Sequence, residues 1–579
     1  MTATQIVSAV TVTVCLLIDS IVIGRLLGVE AMSAYGLANP VLIIFNALGT
    51  MMAIGVQVMT GKAMGKGDIE ECRTCFSSSV VMSFALAAAW ILFIFAATKP
   101  LCMMLGAGTP SQDNQLYVMT ADYLRGYIIG APFFFLSQIL TPYLQSMGKR
   151  RLTLISVAAM TATDIVFDLL SVYVFHAGMF GIGLSSGLSY LAAALTGIGY
   201  FMRKDCPFRF ERRGVQFRMA AAIAHGGSPI LVNQAFFMIR VYVLNQILLA
   251  VSGTVAIAAL SVISTIGNII FSIGLGAGSI ALMLSSIFYS EEDRTSLYEL
   301  VRVMISFSLK LIVTAVAAVV LAAPWLIRLF LGHDPQVLEI AIPGMRLYGL
   351  SLIACVLTTV FKNYYQGIGR MKLTNCISFF DNVGILLPVT WLFSVLFGLT
   401  GVWTGILAAQ FGTVLMISVI VWIRYGKVSF TAEAYSMLDN GFGADPSDVF
   451  EMSVIDMDSA IGASEQINEF CNVKGLGKKM AMLVSLCVEE VVVNIIEHGF
   501  TKDDKAHSAD VRLVVDDARC IIRVRDNCVS FDPTRYLELH ESNDPTHHIG
   551  IRMVTAMVND INYINSLGLN NLYMSIARN

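Results

Sequence analysis

The chain has 579 residues, of which 56% are hydrophobic and only 14% are charged, so a soluble enzyme is excluded for most of its length, as is a disordered chain. From Asp445 onward, 12 Lys and Arg stand against 21 Asp and Glu, whereas the preceding residues carry 26 basic and 20 acidic side chains. The composition therefore predicts a membrane protein with a soluble, acidic C-terminal domain.

Apolar stretches of about 20 residues or more recur along the first three quarters of the chain, and each is long enough to cross a bilayer as a helix. The predicted spans are 4–27, 34–60, 76–98, 121–145, 152–175, 181–202, 220–250, 255–288, 300–331, 340–366, 373–397 and 400–423. Every second polar break carries basic residues, for example Lys66, Lys149 and Arg370. By the positive-inside rule, both termini are expected in the cytoplasm, with the twelve helices in the plasma (inner) membrane.

An internal repeat divides these spans into two halves. The run Tyr143-Leu-Gln145-Ser-Met-Gly148-Lys149 returns 221 residues later as Tyr364-Tyr-Gln366-Gly-Ile-Gly369-Arg370. Six helices lie between the copies, so both halves have the same orientation. This arrangement is typical of a transporter with a central cavity between two lobes. We expect an N-lobe at 1–220 and a C-lobe at 221–427.

Three acidic residues fall inside predicted spans of the N-lobe, where ionisable groups are costly and usually functional. Asp19 lies in the first span, and Asp164 and Asp168 lie in the fifth. The last two are one helical turn apart and therefore share a face. Two buried carboxylates at this spacing repel when both are ionised, so we expect them to share a proton. Alternatively the acids are structural, with hydrogen bonds to hydroxyl groups nearby: Thr161, Thr163 or Ser171.

In the C-lobe the clearest ionisable residues at membrane depth are Arg240 and Asp381. A lone arginine in hydrocarbon is expensive, so we expect the two to pair across the bundle. Such a pair could be a structural staple or a gate, and the residues alone favour neither.

The membrane part resembles the multidrug and toxic compound extrusion (MATE) family. The motifs that carry the resemblance are Asp19-Ser-Ile-Val-Ile-Gly24-Arg25 with Gly28 after it, the Tyr143–Lys149 run, and Asp164-Ile-Val-Phe-Asp168 followed by Gly181-Ile-Gly183. The resemblance implies a proton- or sodium-coupled exporter of cationic, amphipathic compounds. It places the cation site of the proton-coupled branch at Asp19, Asp164 and Asp168, with Ser186 where threonine is common. This chain has Asp164 where the family usually has Asn, which adds a titratable group.

The segment 428–446 is polar and rich in turn residues, and it is predicted to be a flexible linker. The C-terminal domain after it, 447–579, is called the tail below. Its patterns predict strands at 449–455, 509–515, 519–526, 561–565 and 571–577 and helices at 459–473, 477–499 and 549–560. We therefore expect an all-α polytopic membrane protein of two six-helix lobes, followed by a cytoplasmic α+β sandwich.

The tail carries three motifs that suit nucleotide chemistry. Glu490 and Asn494 are one helical turn apart, so the carboxylate could polarise a water while the amide oxygen holds Mg²⁺. Asp526 ends a strand, where a buried carboxylate suits the amino group of adenine. Gly550 opens a helix, whose first N–H groups can cradle phosphate.

In this order the motifs resemble the ATP-binding fold of histidine kinases and DNA gyrase, most closely the anti-sigma-factor serine kinases. The resemblance implies that Glu490 is the general base, Asn494 the Mg²⁺ ligand and Asp526 the adenine-binding residue. The full set of implied ATP-binding residues is Asn494, His498, Asp526, Asn527, Phe531 and Gly550. Cys528 and His548 stand where the family usually has glycine.

The sequence thus predicts a cation-coupled antiporter, with a proton or sodium ion as coupling ion, and a Mg–ATP-binding tail that acts as a regulator or as a serine kinase on a cytoplasmic protein. Lipid, a small-molecule substrate and that protein are the expected partners, and nucleic acid is not. No Walker motif is present, which argues against an ATP-binding-cassette pump. The alternatives are a receptor that signals through the tail and a lipid-linked sugar flippase, which should line its cavity with more cationic residues than Arg240 and Lys310.

Overall fold

The computed structural model describes the chain except for residues 1–21, 28, 110–113, 202–207, 332–334, 440, 501–505, 530–531, 534–548, 567 and 579. The membrane part consists of long apolar helices. Those of the N-lobe are α1 Val29–Lys66, α2 Ile69–Met104, α3 Gln115–Ile129, α4 Ala131–Ser146, α5 Arg150–Tyr173 and α6 Gly178–Phe201. Those of the C-lobe are α7 Phe217–Ser290, α8 Arg294–Leu331, α9 Pro335–Gly367, α10 Met371–Phe379 and α11 Leu386–Tyr425.

Most of the predicted spans have a counterpart in these helices. Within the described residues, nine helices are long and apolar enough to cross a membrane, and ten if the bent pair α3–α4 forms one span. The last of the nine, Met371–Tyr425, runs from the start of α10 to the end of α11. It is too long for one crossing, and the non-helical backbone of Gly398 divides it into two. Most of the first predicted span, 4–27, lies outside the described residues. The chain is therefore a multi-pass membrane protein, as predicted.

The internal repeat has a structural counterpart at the two glycines that end its copies. Gly148 and Gly369 have positive φ angles, +66° and +81°, a conformation that glycine adopts without strain. Each donates its N–H to the carbonyl of the equivalent glutamine, Gln145 or Gln366, at 2.9 and 3.0 Å. The repeated sequence thus specifies the same helix end in both lobes.

The two lobes meet at one end of the bundle, called the tail-side end here and formed by residues 61–66 of α1 and 286–293 around the end of α7. The helices approach so closely at Gly65 that a Cβ there would lie 2.4 Å from the carbonyl oxygen of Ile287. Further along α1, Gln57 donates a hydrogen bond to Ser279 of the C-lobe at 3.3 Å. The lobes are therefore in direct contact at this end.

The tail is a single antiparallel sheet with helices on one face. Its strands β1 Val449–Val454, β2 Ala509–Val515, β3 Arg519–Asp526, β4 Asp560–Ser566 and β5 Leu569–Ala577 lie in the order β1-β2-β3-β5-β4. The helices are α13 Met457–Val473, α14 Lys478–Asn494 and α15 Ile549–Met557, which follow the short α12 Ala432–Ser436. Val488, Leu513, Ile522 and Met574 belong to the core between sheet and helices. The predicted α+β domain is confirmed, and the predicted strands agree with the observed ones to within two residues.

The segment between the lobes and the tail is packed, so the prediction of a flexible linker is wrong for its central part. The ring of Tyr435 stacks on Phe361 of α9 at 5.4 Å, and its hydroxyl donates to Ser418 of α11 at 2.7 Å. Phe442 stacks on Tyr289 with ring centroids 4.7 Å apart. Composition alone suggested flexibility because polar turn residues outnumber these aromatic anchors.

Replacement of Tyr435 by alanine should release this segment from the C-lobe. Loss of a large buried aromatic side chain costs about 3–5 kcal/mol in a protein core, and a locally unfolded segment becomes a protease substrate. We expect faster chymotrypsin cleavage after Leu438 or Phe442 in Tyr435→Ala, followed by mass spectrometry. Phe430→Ala is the matched control, because Phe430 is an aromatic residue of the same segment that is 76% exposed. Equal cleavage rates in both variants would contradict the packed arrangement.

Candidate functional site

The acidic pair of the N-lobe is buried on one face of α5. Asp164 is 4% exposed and Asp168 is fully buried, as expected for residues one turn apart. The hydroxyl of Ser185 on α6 donates to Oδ1 of Asp168. Oδ2 of Asp168 has no hydrogen-bond partner among the described residues. The third predicted acid, Asp19, lies outside them.

The serine that contacts Asp168 is therefore Ser185, whereas the resemblance pointed to Ser186. Ser186 is also buried, but its hydroxyl donates to the carbonyl of Ile182 in its own helix, at 3.2 Å. Consecutive residues on a helix point about 100° apart, so only one of two adjacent serines can face α5. The sequence contains both serines and does not distinguish them.

This site can bind a proton or a small cation. An ionised carboxylate with an unsatisfied oxygen is expensive in an apolar interior, and a proton on Asp168 or a bound cation removes that cost. Among the residues that the structure describes, no cluster of three metal-ligating side chains is present.

Asp381 of the C-lobe pairs with Lys362, so the expected pair with Arg240 is not the one observed. Nζ of Lys362 lies 3.0 Å from Oδ2 of Asp381 and also donates to Asn233 at 3.3 Å. Asp381 lies in a π-helical turn, Phe380–Gly384, a feature that is frequent at functional sites. Lys362 lies near the end of α9, and its long side chain allows the ammonium group to reach Asp381. In the sequence Lys362 stands in a mainly apolar span, which gave no indication of this partner.

The nucleotide motifs of the tail converge on one cavity of about 390 Å³. Glu490, Asn494 and His498 line it from α14 and the π-helical turn that follows, Ile495–Gly499. Asp526 at the end of β3 and Gly550 at the start of α15 line the other side. The adjacent Glu489 accepts a hydrogen bond from Ser464 at 2.7 Å and is not part of the lining.

Asp526 is held by a network of polar groups inside the tail. It is 6% exposed, and its Oδ1 accepts hydrogen bonds from the N–H of Cys528 at 2.9 Å and from Asn570 at 2.7 Å. Asn570 accepts in turn from the hydroxyl of Tyr563 at 2.6 Å. Asn570 was not among the predicted site residues, because the predicted strand began one residue after it, whereas the observed strand begins at Leu569.

The start of α15 lies directly against Glu490. A Cβ at Gly550 would lie 2.1 Å from Oε2 of Glu490, so only glycine fits here without a shift. An acid, an amide and a helix start in one cavity fit a nucleotide with its Mg²⁺. Asn527 does not line this cavity, because its side chain bonds to residues 506–508. Phe531 and His548 lie outside the described residues.

Comparison with known families agrees with both parts of this architecture. Residues 5–170 and 229–392 match the profile of the MatE family, which is more than half of the chain. The chain belongs to the MatE family. Residues 456–576 of this MatE protein match the profile of the histidine kinase-like ATPase domain.

Relatives of the MatE part are found among multidrug export proteins. The multidrug export protein MepA of Staphylococcus aureus is 24% identical over 411 residues, which are 70% of this chain and 89% of the relative. The protein of the same name from Staphylococcus saprophyticus is 23% identical over the same length.

Solved structures share the membrane fold of this MatE protein. A MATE crystal structure in complex with MaL6 has a TM-score of 0.67 at 19% identity and covers 72% of this chain and 93% of its own. A MOP superfamily transporter from Pyrococcus furiosus, noted for the reverse polarity of its binding pocket, also has a TM-score of 0.67, at 20% identity, with 76% and 96% covered. At these identities the likeness establishes the fold, and the site must be judged from its own residues.

The two adjacent serines of α6 provide a test of the acidic site. Ser185→Ala removes the hydroxyl that donates to Asp168, and loss of a hydrogen bond to a charged or buried carboxyl costs about 1.5–3 kcal/mol. Ser186→Ala removes only a bond to the backbone of its own helix, so about 1 kcal/mol or less is expected. The apparent Tm of the two variants in detergent, measured side by side, should be clearly lower for Ser185→Ala. The opposite order would assign the contact to Ser186.

Proposed function

We propose that this MatE protein is a cation-coupled secondary antiporter, with the proton as coupling ion, that exports cationic or amphipathic small molecules. The observation that carries the proposal is the buried acidic pair on α5, in which a carboxylate oxygen of Asp168 lacks a hydrogen-bond partner among the described residues. The names of the relatives, which are multidrug export proteins, support the direction of transport.

In this proposal transport follows from alternating access of the two lobes. A proton on Asp168 neutralises the buried carboxylate, and loss of that proton leaves a negative charge that attracts a cationic substrate. Proton and substrate therefore compete for one N-lobe site, and exchange occurs when the lobes part at one end or the other. The C-lobe pair Lys362–Asp381 is already neutral as a pair, and we assign it the role of a structural staple.

The tail binds ATP with Mg²⁺ in the cavity between α14 and α15. The Asn494 amide oxygen would hold the metal, which neutralises charge on the phosphates, and Glu490 is placed to polarise a hydroxyl or water. Asp526 would accept the adenine amino group through Oδ2, since the hydrogen bonds from Cys528 and Asn570 go to Oδ1. We assign the tail a regulatory role or a serine-kinase activity on a cytoplasmic protein.

We further propose that the tail lies in the cytoplasm. Basic residues such as Lys66 and Arg294 cluster at the tail-side end of the bundle. By the positive-inside rule, this end lies on the cytoplasmic side of the inner membrane.

Replacement of Asp168 by asparagine should abolish proton-coupled export without unfolding the protein. The amide keeps the shape of a protonated carboxyl but cannot lose a proton. Substrate efflux from proteoliposomes under an imposed pH gradient measures the effect, and Asp122→Asn on α3 is the control that should retain transport. Native-like efflux by Asp168→Asn, with the proton gradient as the sole driving force, would reject Asp168 as the coupling residue.

Replacement of Asp526 by asparagine should weaken ATP binding to the full-length protein. Loss of a charge-assisted hydrogen bond to the adenine amino group costs about 1.5–3 kcal/mol, which corresponds to a Kd about ten- to a hundredfold higher. Calorimetric titration with Mg–ATP measures the Kd, and Asp517→Asn in the exposed β2–β3 turn should leave it unchanged. Absence of ATP binding to the native protein would show that the cavity does not serve a nucleotide.

A further inference from the structure

The face of the tail's sheet that points away from its helices carries a group of arginines. Along β2 and β3 every second residue is buried under the helices, and the residues between them face the other way. Arg512, Arg523 and Arg525 belong to this outer face, and Arg512 lies directly opposite Arg523 in the register of the two strands. Like charges opposite each other destabilise a sheet. The outer face therefore requires acidic or carbonyl partners.

The C-lobe supplies acidic partners at the tail-side end. Arg525 donates from Nη2 to both carboxylate oxygens of Glu291, at 3.0 and 2.9 Å, and Arg512 pairs with Asp293. Burial alone would raise the pKa of the Asp293 carboxyl, but Arg512 and hydrogen bonds from Ser296 outweigh it and hold the pKa below its usual value. Asp293 is therefore ionised at neutral pH, and its attraction to Arg512 is fully developed.

Arg523 contacts both lobes at once. Its Nη1 donates to the carbonyl oxygen of Glu291 in the C-lobe at 2.9 Å, and its Nη2 donates to the carbonyl oxygen of Gly65 in the N-lobe at 3.3 Å. The guanidinium also lies 5.7 Å from the ring centroid of Tyr573, which limits its movement. A rigid, planar fork of donors holds two acceptors at a set separation. One side chain of the tail thus bridges the point where the lobes meet.

A second contact joins the tail to the N-lobe. Ile564 of β4 is 6% exposed, and it is packed into the hydrophobic core cluster of the N-lobe that includes Met64 of α1. On the other side, the segment that leads into the tail is packed against the C-lobe through Tyr435. Separation of the lobes at this end would therefore have to break the contacts of Arg523 and Ile564.

The contacts with the lobes and the nucleotide cavity lie on opposite faces of the tail's sheet. In the register of β3 with β5, Asp526 is opposite Asn570 and the neighbouring Arg525 is opposite Asn571. On the cavity face Asn570 donates to Asp526 at 2.7 Å, and on the outer face Arg525 donates to Asn571 at 2.6 Å. A group that bonds to Asp526 acts on the same strand end that positions Arg525.

We infer that the histidine kinase-like domain is a latch that holds the two lobes together at the tail-side end, and that nucleotide binding changes its hold. The inference rests on the proposed alternating access of the lobes. The partner of the outer sheet face is this chain's own pair of segments, 64–67 and 288–293. Mg–ATP can shift the equilibrium between the engaged and the released tail only by the ratio of its affinities for the two states. Conversely, release of the tail must change the affinity for Mg–ATP by the same factor.

Hydrogen–deuterium exchange of the full-length protein in lipid nanodiscs tests the latch. Arg523→Ala loses donors to both lobes, so we expect exchange roughly tenfold faster in the peptides that cover 57–68 and 283–293. Arg519→Ala is the matched control, because Arg519 lies on the same strand, is 51% exposed and pairs with Asp516 at the surface. Glu291→Gln removes the charge that pairs with Arg525, from the membrane side of the same interface and outside the tail's core. It should also accelerate exchange, and it tests the latch whether or not Arg523→Ala folds.

The same measurement with and without Mg–ATP tests the coupling. Mg–ATP should change exchange of the two peptides in the native protein and in Arg519→Ala, and should have no effect on them in Arg523→Ala. Native exchange rates in both Arg523→Ala and Glu291→Gln would overturn the latch, and indifference of the native protein to Mg–ATP would overturn its coupling to nucleotide. Hydrogen exchange reports opening of the lobes and not transport, so the two proposals can fail separately. If the native protein does not export drugs but Arg523→Ala still accelerates exchange, the antiporter is rejected and the latch stands.

Discussion

A charge that leaves water must be paired or neutralised, and this constraint governs the important sites of the molecule. Lys362 lies within 3.0 Å of Asp381 inside the C-lobe, and Glu291 accepts two hydrogen bonds from Arg525 where the tail meets the lobes. The described partner of Asp168 is a hydroxyl group and not a cation. Of these buried acids, Asp168 is therefore the one that depends on an exchangeable proton or ion for its neutrality.

The constraint also bears on a difference in chemistry between the two lobes. The helix ends at Gly148 and Gly369 have similar backbone conformations in the two lobes. In the N-lobe the polar positions hold carboxyl and hydroxyl groups, whereas in the C-lobe Lys362 occupies the place that a mobile cation would take beside Asp381. A tethered cation cannot be exchanged. This difference supports the proposal that ion coupling resides in the N-lobe.

Sequence patterns predicted the helices and strands well, because hydrophobic period and span length depend on local sequence. They also placed Glu490, Asn494, Asp526 and Gly550 in one motif set, which the fold brings to a single cavity. They indicated Ser186 and an Arg240–Asp381 pair, whereas the structure places Ser185 beside Asp168 and Lys362 beside Asp381. Such choices depend on how helices are rotated and spaced. The packed segment around Tyr435 was missed for the same reason, since its partners are distant in sequence.

The position of the tail bears on whether it drives transport or regulates it. One cavity of this kind is present in the described tail, whereas a pump with paired ATP sites would need a second. The proposed coupling site at buried Asp168 also lies in the membrane part. A freely hanging domain could act on the lobes only weakly, but this tail contacts the C-lobe through Arg525 and the N-lobe through Arg523. It can therefore bias the opening of the lobes by the difference in nucleotide affinity between two states. That difference can set how often the transporter opens, while in the proposed antiporter the ion gradient supplies the free energy for export.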